Sequence, residues 1–215
     1  MKDSELRQQL IDYAIQLNRS GLSAGKSGNI SARCHEGLLI TPTGMDYHEL
    51  SPEDIVLLTL EGGQASTAQN KLPSSEWHFH CGIYQARPDI HAVVHAHPTH
   101  STALACTGRA IPAFHYMVAV AGGKQIPIAP YALFGTEELS RHVVDTLQGY
   151  QACLLANHGM IALGGNLRAA FNLAVEVESL AQQYCQALAL GKIQLLTDQQ
   201  MDKVMEKFKA YGQRV

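Results

Sequence analysis

Two histidines separated by a single residue give the sequence its clearest chemical signal. His95 and His97 occur in the segment VVHAHP at 93–98, and its β-branched start predicts a strand. Side chains two positions apart on a strand point to the same face, so both imidazoles can reach one metal ion. The same pattern also fits two partly exposed histidines at a strand end, and the spacing alone does not separate these interpretations.

A third metal ligand has to come from another part of the chain, and His158 is the first choice. It follows the apolar segment 152–156, which predicts a second buried strand with a functional side chain at its end. Three neutral imidazoles with one position left open are the ligand set of a catalytic zinc site. His91 and His100 are competing ligands, although His91 lies toward the other end of the first strand and His100 follows Pro98.

A helix is predicted to begin near Ser74, Ser75 and Glu76, with serine at the N-cap and the acid in the first turn. Glu76 fits two roles, because it either stabilises the helix dipole or serves as a general base beside a metal. His78 and His80 repeat the spacing of the strand pair. Helical geometry separates their side chains by about 200°, so they are not expected to share a metal.

Short polar residues supply a second candidate site, which would hold an anion. The hydroxyls of Ser74 and Ser75 either cap the helix or, with the free N–H groups at its start, hold a phosphate. Asn29 after a glycine-containing loop, and Thr43 with Gly44 in a predicted turn, add further donors. The sequence has neither a G-x-x-x-x-G-K-[ST] loop nor a strand-coupled G-x-G-x-x-G segment, so nucleotide binding has no support.

Alternating helices and strands are predicted to position these groups. Helical spacing predicts helices at 4–20, 74–87, 102–106, 136–147, 167–190 and 198–209. Apolar runs predict strands at 30–33, 38–40, 55–60, 90–97, 152–156 and 159–163, while 116–121 and 126–129 are ambiguous. No repeat or linker divides the chain, so we expect one domain over 1–215 in which helices cover a sheet.

Composition narrows the class of protein. A chain of 215 residues, 46% hydrophobic and 16% charged, is sufficient for one compact globular domain. The formal charge of −3 and the lack of a basic run disfavour a nucleic-acid or anionic-membrane partner. The five cysteines form no C-x-x-C pair, so they do not indicate a disulfide framework. The start is acidic and unlike a secretory signal, and no run reaches the roughly 18 apolar residues of a membrane span. Together these features predict a cytoplasmic protein.

Seven motifs, taken in order, resemble those of the class II aldolase/adducin family. They are GNIS at 28–31, LITPTG at 39–44, KLPSSEW at 71–77, VVHAH at 93–97, IPAFHYM at 111–117, YALFGT at 131–136 and NHG at 157–159. The resemblance covers nearly the whole chain, including EKFKAYG at 206–212, and is far more specific than an isolated H-x-H. It implies an α/β fold: a three-layer α/β/α unit with a mostly antiparallel central sheet.

The resemblance assigns roles to the metal-binding and catalytic candidates. It implies that His95, His97 and His158 bind Zn²⁺, one ion per subunit, and that Glu76 is the acid/base group, which also approaches the metal in the empty site. Tyr116 is implied as the proton donor at the aldehyde oxygen, reaching into the site of a neighbouring subunit. Epimerases of the family tend to carry aspartate where Glu76 stands, which favours an aldolase.

The resemblance also implies which residues hold the substrate. The phosphate-binding residues are Asn29, Thr43, Gly44, Ser74 and Ser75, and the aldehyde pocket is formed by Phe134, Phe208 and Tyr211. The loop departs from the aldolase pattern, because Lys26 and Ser27 precede Gly28. The lysine is therefore a candidate for altering phosphate affinity.

The activity implied is that of a lyase, a zinc-dependent aldolase that reversibly cleaves a ketose 1-phosphate to dihydroxyacetone phosphate and an aldehyde. L-fuculose 1-phosphate, which yields L-lactaldehyde in fucose metabolism, is the first choice, and a ribulose or 5-deoxyribulose 1-phosphate is the alternative. A sugar-phosphate epimerase and a non-enzymatic, adducin-like interaction domain are weaker alternatives, since the latter is expected to lack the metal ligands. The family further implies a cytoplasmic homotetramer with active sites between subunits.

Overall fold

The computed structural model describes residues 3–63 and 71–209. Its strands are β1 (Asn29–Cys34), β2 (Gly37–Ile40), β3 (Val56–Leu58), β4 (Ala92–Ala96), β5 (Ile128–Ala129), β6 (Ala152–Leu155) and β7 (Gly159–Gly164). Its α-helices are α1 (Asp3–Arg19), α2 (Trp77–Ala86), α3 (Thr99–Cys106), α4 (Glu137–Thr146), α5 (Leu167–Leu190) and α6 (Asp198–Lys209). Short 3-10 helices cover Tyr47–Glu49, Pro52–Asp54 and Tyr116–Ala121.

The elements with strong apolar periodicity are confirmed. α5 and α6 cover the predicted residues, and α5 is bounded by the N-cap Asn166, whose side chain accepts from Ala169 N, and by Gly191. The ambiguous segment 116–121 forms a 3-10 helix. The predicted strands at 55–60 and 90–97 are longer than the observed β3 and β4, so His97 lies just beyond the end of β4 rather than within it.

β4 lies in the middle of the sheet. Among the described residues the strand order is β3-β2-β1-β4-β7-β6-β5. β5 pairs with β6 in parallel, and every other neighbouring pair in this order is antiparallel. The expected α/β class is confirmed, with a mixed sheet rather than a purely antiparallel one, because α4 carries the chain from β5 to β6 as a crossover.

Helices pack on both faces of the sheet. Val94 and Ala96 of β4 belong to an apolar cluster with α1, α3 and α5, whereas Val93 belongs to a second cluster with α2 and α4. Because side chains alternate along a strand, His95 lies on the same face as Val93. The sheet therefore presents His95 to the side on which α2 begins.

The start of α2 corrects one prediction. A serine N-cap with Glu76 in the first turn is wrong, because α2 begins at Trp77 and Glu76 occupies the N-cap position without a side-chain capping bond. Its carboxylate instead accepts a hydrogen bond from Asn29 and faces His95. Glu76 is therefore engaged with the histidine-bearing strand rather than with the N–H groups of its own helix.

The described helices include none that is long and apolar enough to cross a membrane. All five cysteines lie within the described residues, and all are free thiols. Burial raises the pKa of the Cys81 thiol to about 12 and also raises the pKa of Cys153, so both stay protonated and unreactive.

Candidate metal centre and active site

Antiparallel pairing of β4 with β7 brings the three histidines together. Ala96 of β4 lies opposite Met160 of β7, so the residue that follows β4, His97, meets the turn that precedes β7. That turn contains His158. It is made by Asn157, which has a φ of 56° and is the one non-glycine residue in the described chain with a positive φ. Asparagine visits this left-handed conformation more readily than most residues, so the turn suits its sequence.

Gly159 keeps the two strand ends in close contact. A Cβ at this position would lie 2.4 Å from the carbonyl oxygen of Ala96 and 2.6 Å from Cδ2 of His97. Side chains do not tolerate such distances, so the approach of β7 to β4 requires glycine here.

Gly159→Ala is therefore expected to displace His97 and to weaken metal binding. We expect a loss of roughly 10- to 100-fold, the range found when the residues that orient metal ligands are changed. Competition with a chromophoric chelator measures the affinity. Gly165→Ala is the matched control, because a Cβ at Gly165 meets nothing within 4 Å. Equal metal affinities for the two variants would contradict the role given to Gly159.

Four side chains converge on one point at this edge of the sheet. Nε2 of His95 lies 3.0 Å from Oε2 of Glu76 and 2.8 Å from Nε2 of His97. Nε2 of His158 lies 3.2 Å from Oε1 of Glu76. One ligand atom from each residue lies within 4.8 Å of the others, and the described part of the chain has no second cluster of this kind.

The donor atoms of this cluster fit a cation. Nδ1 of His95 lies 2.9 Å from the carbonyl oxygen of Met160, which identifies that nitrogen as the N–H donor. In the neutral ring Nε2 then has a lone pair, and it faces an imidazole nitrogen and a carboxylate oxygen. Within the described chain Oε1 of Glu76 is buried and lacks a well-formed hydrogen bond, despite its closeness to His158. Lone pairs directed at one point, with a carbonyl orienting a ligand ring, are typical of a metal centre.

The ionisation of Glu76 also fits a cation at this point. Burial alone raises the pKa of Glu76, but His95 and His158, when they are protonated, outweigh burial and lower that pKa, so the carboxylate is ionised. A metal ion would take the place of those protons and leave both rings neutral. Burial, followed by repulsion from His95 and His158, lowers the pKa of His97 to about 3. The His97 ring is therefore neutral at physiological pH, as a metal ligand must be.

A polar cavity lies beside the histidines. Ser74 N donates to the Thr41 carbonyl over 3.0 Å, and Thr43 N donates to the Leu72 carbonyl over 3.1 Å, so the turn at 41–44 lies alongside the segment that leads into α2. The cavity between these segments and the metal centre has a volume of about 390 Å³. Six residues predicted to bind substrate line it: Asn29, Thr43, Gly44, Ser74, Ser75 and Phe134.

Several further lining residues lie outside the predicted set of site residues, among them Lys26, Tyr131 and Asn157. Lys26 is exposed and makes no ion pair with any residue that the structure describes. Each had a signal in the sequence, because Lys26 interrupts the family pattern, Tyr131 begins the motif of Phe134, and Asn157 precedes His158. Only the fold shows that all three face one cavity.

Asn29 links the cavity to the metal centre. A Cβ on Gly28 would lie 2.8 Å from the carbonyl oxygen of His95, so glycine lets the start of β1 approach β4 closely. Asn29 pairs with His95 across the two strands, and its Nδ2 donates to Oε2 of Glu76 over 3.0 Å. A residue predicted to bind phosphate therefore also donates to the candidate base, 47 positions away in the sequence.

The predicted proton donor does not reach this cavity within one chain. Tyr116 is 48% exposed and lines a separate groove together with Phe208, with ring centroids 6.3 Å apart. Of the three residues predicted for the aldehyde pocket, Phe134 lines the cavity and Phe208 lies in the separate groove. The third, Tyr211, lies outside the described residues.

The competing histidines lie elsewhere. Nδ1 of His100 lies 2.8 Å from Oε1 of Glu178, so this ring is engaged with α5. His91 is exposed and immediately precedes β4. His78 and His80, both on α2, are not members of the cluster.

Both the sequence and the fold are similar to those of known aldolases. Residues 8–185 match the family model described as Class II Aldolase and Adducin N-terminal domain. The chain is 53% identical to the 5-methylthioribulose-1-phosphate/5-deoxyribulose-1-phosphate aldolase of Rhodospirillum rubrum, over 96% of this chain and 92% of that protein. It is 48% identical to the L-fuculose phosphate aldolase of Escherichia coli K12, over 100% and 99%. A solved L-fuculose 1-phosphate aldolase superposes with a TM-score of 0.92 at 42% identity, covering 97% of this chain and 98% of that chain.

Proposed function

The chain belongs to the class II aldolase and adducin N-terminal domain family and is a metal-dependent aldolase, and on this premise we propose that it reversibly cleaves L-fuculose 1-phosphate to dihydroxyacetone phosphate and L-lactaldehyde. The observation that supports this most strongly is the convergence of one carboxylate and three imidazoles beside a polar cavity. Such a lyase needs a base next to a cation and an anchor for the phosphate. We place the reaction in the cytoplasm, where the five free thiols stay reduced.

The metal would be held by His95, His97 and His158. We propose one zinc ion per subunit, because three imidazoles with an open position are the ligand set of catalytic zinc sites. When bound, the ion supplies the Lewis acidity that polarises the ketone carbonyl and stabilises negative charge on the departing fragment. The carbonyl of Met160 orients the His95 ring for this role.

Glu76 would move the proton at the carbon that reacts. In cleavage the C4 hydroxyl loses its proton and becomes the aldehyde oxygen as the C3–C4 bond breaks. The electron pair of that bond stays on C3 of the dihydroxyacetone phosphate fragment, which takes a proton from the protonated form of Glu76, and the carboxylate left behind regains a proton from water. In the synthetic direction the carboxylate removes that proton, and C3 forms the new bond to the aldehyde carbon. We assign the proton to Oε1, because Oε2 already accepts a hydrogen bond from Asn29.

Proton transfer at the aldehyde oxygen is assigned to Tyr116 of a neighbouring subunit in a homotetramer. The assignment is supported by the exposure of this phenol, and by its place in a groove separate from the cavity of its own chain. Phe134, which is 62% exposed, would meet Phe208 and Tyr211 around the aldehyde when subunits assemble. An apolar pocket of this kind selects the aldehyde less strictly than the polar groups select the phosphate.

Phosphate would be held by neutral donors at the other end of the cavity, with Lys26 adding a positive charge at its rim. The neutral donors are Asn29, Thr43, Gly44, Ser74 and Ser75. Hydroxyl and amide donors fix the orientation of the substrate, while the charge of an exposed lysine adds a modest and salt-dependent attraction.

Lys26→Gln is therefore expected to raise KM for the ketose 1-phosphate about two- to fivefold at low salt, since exposed charge pairs contribute little. The turnover number is expected to change less than KM, because Lys26 does not touch the reacting carbons. Steady-state kinetics at two salt concentrations measure the effect, which should shrink at the higher one. Lys192→Gln removes the same charge outside the cavity and serves as the control. An unchanged KM at low salt would remove Lys26 from phosphate binding.

A second substrate is supported by the Rhodospirillum rubrum relative, which is named for 5-methylthioribulose 1-phosphate and 5-deoxyribulose 1-phosphate. These compounds share C1 to C3 and the phosphate with L-fuculose 1-phosphate, so metal, base and phosphate residues would act identically. The products differ only in the aldehyde released. The residues around Phe134 would therefore decide the preference.

Values of kcat/KM for the three ketose 1-phosphates, from coupled detection of dihydroxyacetone phosphate, test the proposed function. We expect release from all three, with the highest value for L-fuculose 1-phosphate. A clear preference for either ribulose derivative would replace the first candidate by the second. No release from any of them would contradict the proposed activity.

A further inference from the structure

A buried row of polar side chains leads from α2 to Glu76. The Tyr84 hydroxyl lies 2.8 Å from Oγ of Ser31, which lies 2.6 Å from Nδ1 of His80. Nε2 of His80 lies 2.6 Å from Oδ1 of Asn29, whose Nδ2 donates to Oε2 of Glu76 over 3.0 Å. All five residues are buried, and His80 is 0% exposed. Solvent therefore does not compete for the hydrogen bonds among Ser31, His80 and Tyr84.

The direction of each hydrogen bond follows from the carboxylate end of the row. The amide nitrogen of Asn29 donates to Oε2 of Glu76, so the amide oxygen faces His80. Nε2 of His80 must then be the donor. Burial lowers the pKa of His80 to about 3, so the ring has one proton, and Nδ1 accepts from Ser31. Ser31 in turn accepts from Tyr84.

We propose that His80 is a positioning residue that locks the amide of Asn29, so that only N–H groups face Glu76 and the phosphate end of the cavity. With Oδ1 held by His80, one Nδ2 hydrogen is directed to Glu76 and the other is available to an anion in the cavity that Asn29 lines. The reversed amide would direct a carbonyl oxygen at two anions, the carboxylate and the phosphate. The inference rests on the proposed function, because the anion is taken to be a sugar phosphate.

The packing of α2 does not require this row. Phe79 and Ile83 already bury the helix against the sheet in the cluster shared with α4. A histidine that only filled space would need no particular ring nitrogen protonated. The lock, by contrast, requires a proton on Nε2 and none on Nδ1, and this requirement is measurable.

The tautomer of His80 is therefore the first test. In protein labelled with ¹⁵N-histidine, two-bond ¹H–¹⁵N correlations distinguish protonated from bare ring nitrogens. The His80 signals are those missing from the spectrum of His80→Gln. We expect a protonated Nε2 and a bare Nδ1 at neutral pH. A proton on Nδ1 would reverse the row and overturn the proposal.

Affinity for inorganic phosphate tests the orientation of the Asn29 amide by His80 without requiring turnover. His80→Leu removes the donor to Asn29, and we expect phosphate binding in a ³¹P NMR titration to weaken roughly 10- to 100-fold, the range for hydrogen bonds to charged groups. His80→Gln places an amide N–H near the position of Nε2 and is expected to restore most of the affinity. His78→Leu, the same change on the same helix outside the row, is expected to bind phosphate as the wild type does.

The outcomes separate this inference from the proposed function. Wild-type phosphate affinity in a folded His80→Leu protein would overturn the lock, even if the wild type cleaves ketose 1-phosphates. If His80→Leu does not fold, the His80 tautomer and the phosphate affinity of His80→Gln test the proposal instead. A loss of phosphate affinity in His80→Gln as large as the loss in Asn29→Ala would overturn the proposal. A wild type that cleaves no ketose 1-phosphate would remove the proposed function. The His80 tautomer and the phosphate titration would still test the positioning of Asn29 by His80.

Discussion

Glu76→Gln is expected to lower the turnover number about 10²- to 10⁴-fold, the usual contribution of a general acid or base. Glutamine preserves the shape of the side chain, and its amide oxygen can still accept the hydrogen bond from Asn29, but it cannot carry the proton to and from C3. Steady-state release of dihydroxyacetone phosphate measures the loss. Metal content, measured by mass spectrometry on the same sample, should be retained because the three histidines remain.

Two companion variants define this effect. Glu76→Asp keeps the carboxylate but shortens the side chain by one methylene, so it is expected to retain more activity than Glu76→Gln. Glu53→Gln removes an exposed carboxylate that does not line the cavity, and it should behave as the wild type. Unchanged turnover in Glu76→Gln would contradict the role of base and leave Glu76 as a residue that only precedes α2.

His95→Ala is expected to abolish stoichiometric metal binding and, with it, cleavage. His95 is 0% exposed, and its Nε2 lies within 3.0 Å of both Glu76 and His97, so its loss opens the centre of the site. Metal ions typically supply several kcal/mol of charge stabilisation, which corresponds to roughly a thousandfold or more in rate. Metal content and turnover of the purified variant measure both losses.

His91→Ala is the matched control for His95→Ala. It removes another histidine next to β4, but His91 is exposed and is not a member of the cluster. We expect it to retain full metal content and activity. Stoichiometric metal together with wild-type turnover in His95→Ala would show that the metal centre lies elsewhere.

Much of the fold could be predicted because local spacing determines it. The apolar repeat of α5 and the caps of α4 depend on residues close in sequence, and both helices form where expected. The ends of β4 and the start of α2 could not be predicted to the residue. Both boundaries fall at site residues, where His97 and Glu76 are held by contacts with distant parts of the chain rather than by local propensity.

In the candidate site, too, some features follow from local sequence and others depend on contacts between distant parts of the chain. The shared direction of His95 and His97 follows from strand geometry alone. Bringing His158 to them requires the pairing of β4 with β7, which the sequence indicates only through the apolar run before that histidine. The hydrogen bond from Asn29 to Glu76 depends on the pairing of β1 with β4, and no local pattern reveals it.

Residue roles that depend on assembly rest on the family resemblance. Tyr116 and Phe208 lie together in one groove, apart from the cavity that Phe134 lines. Elementary spacing rules describe a single chain, so they do not reveal which side chains would complete a site in the proposed assembly. For this reason the metal, base and phosphate groups have support from geometry that the aldehyde pocket does not share.

Hydrogen exchange of dihydroxyacetone phosphate in D₂O tests the central claim most directly, because exchange requires the metal centre and the base but no aldehyde. In ¹H NMR we expect the protein to cause stereospecific loss of one C3 proton signal. A chelator should abolish this loss, and added zinc should restore it. Absence of exchange by protein shown to contain one zinc ion per chain would contradict a metal-dependent aldolase with Glu76 as its base.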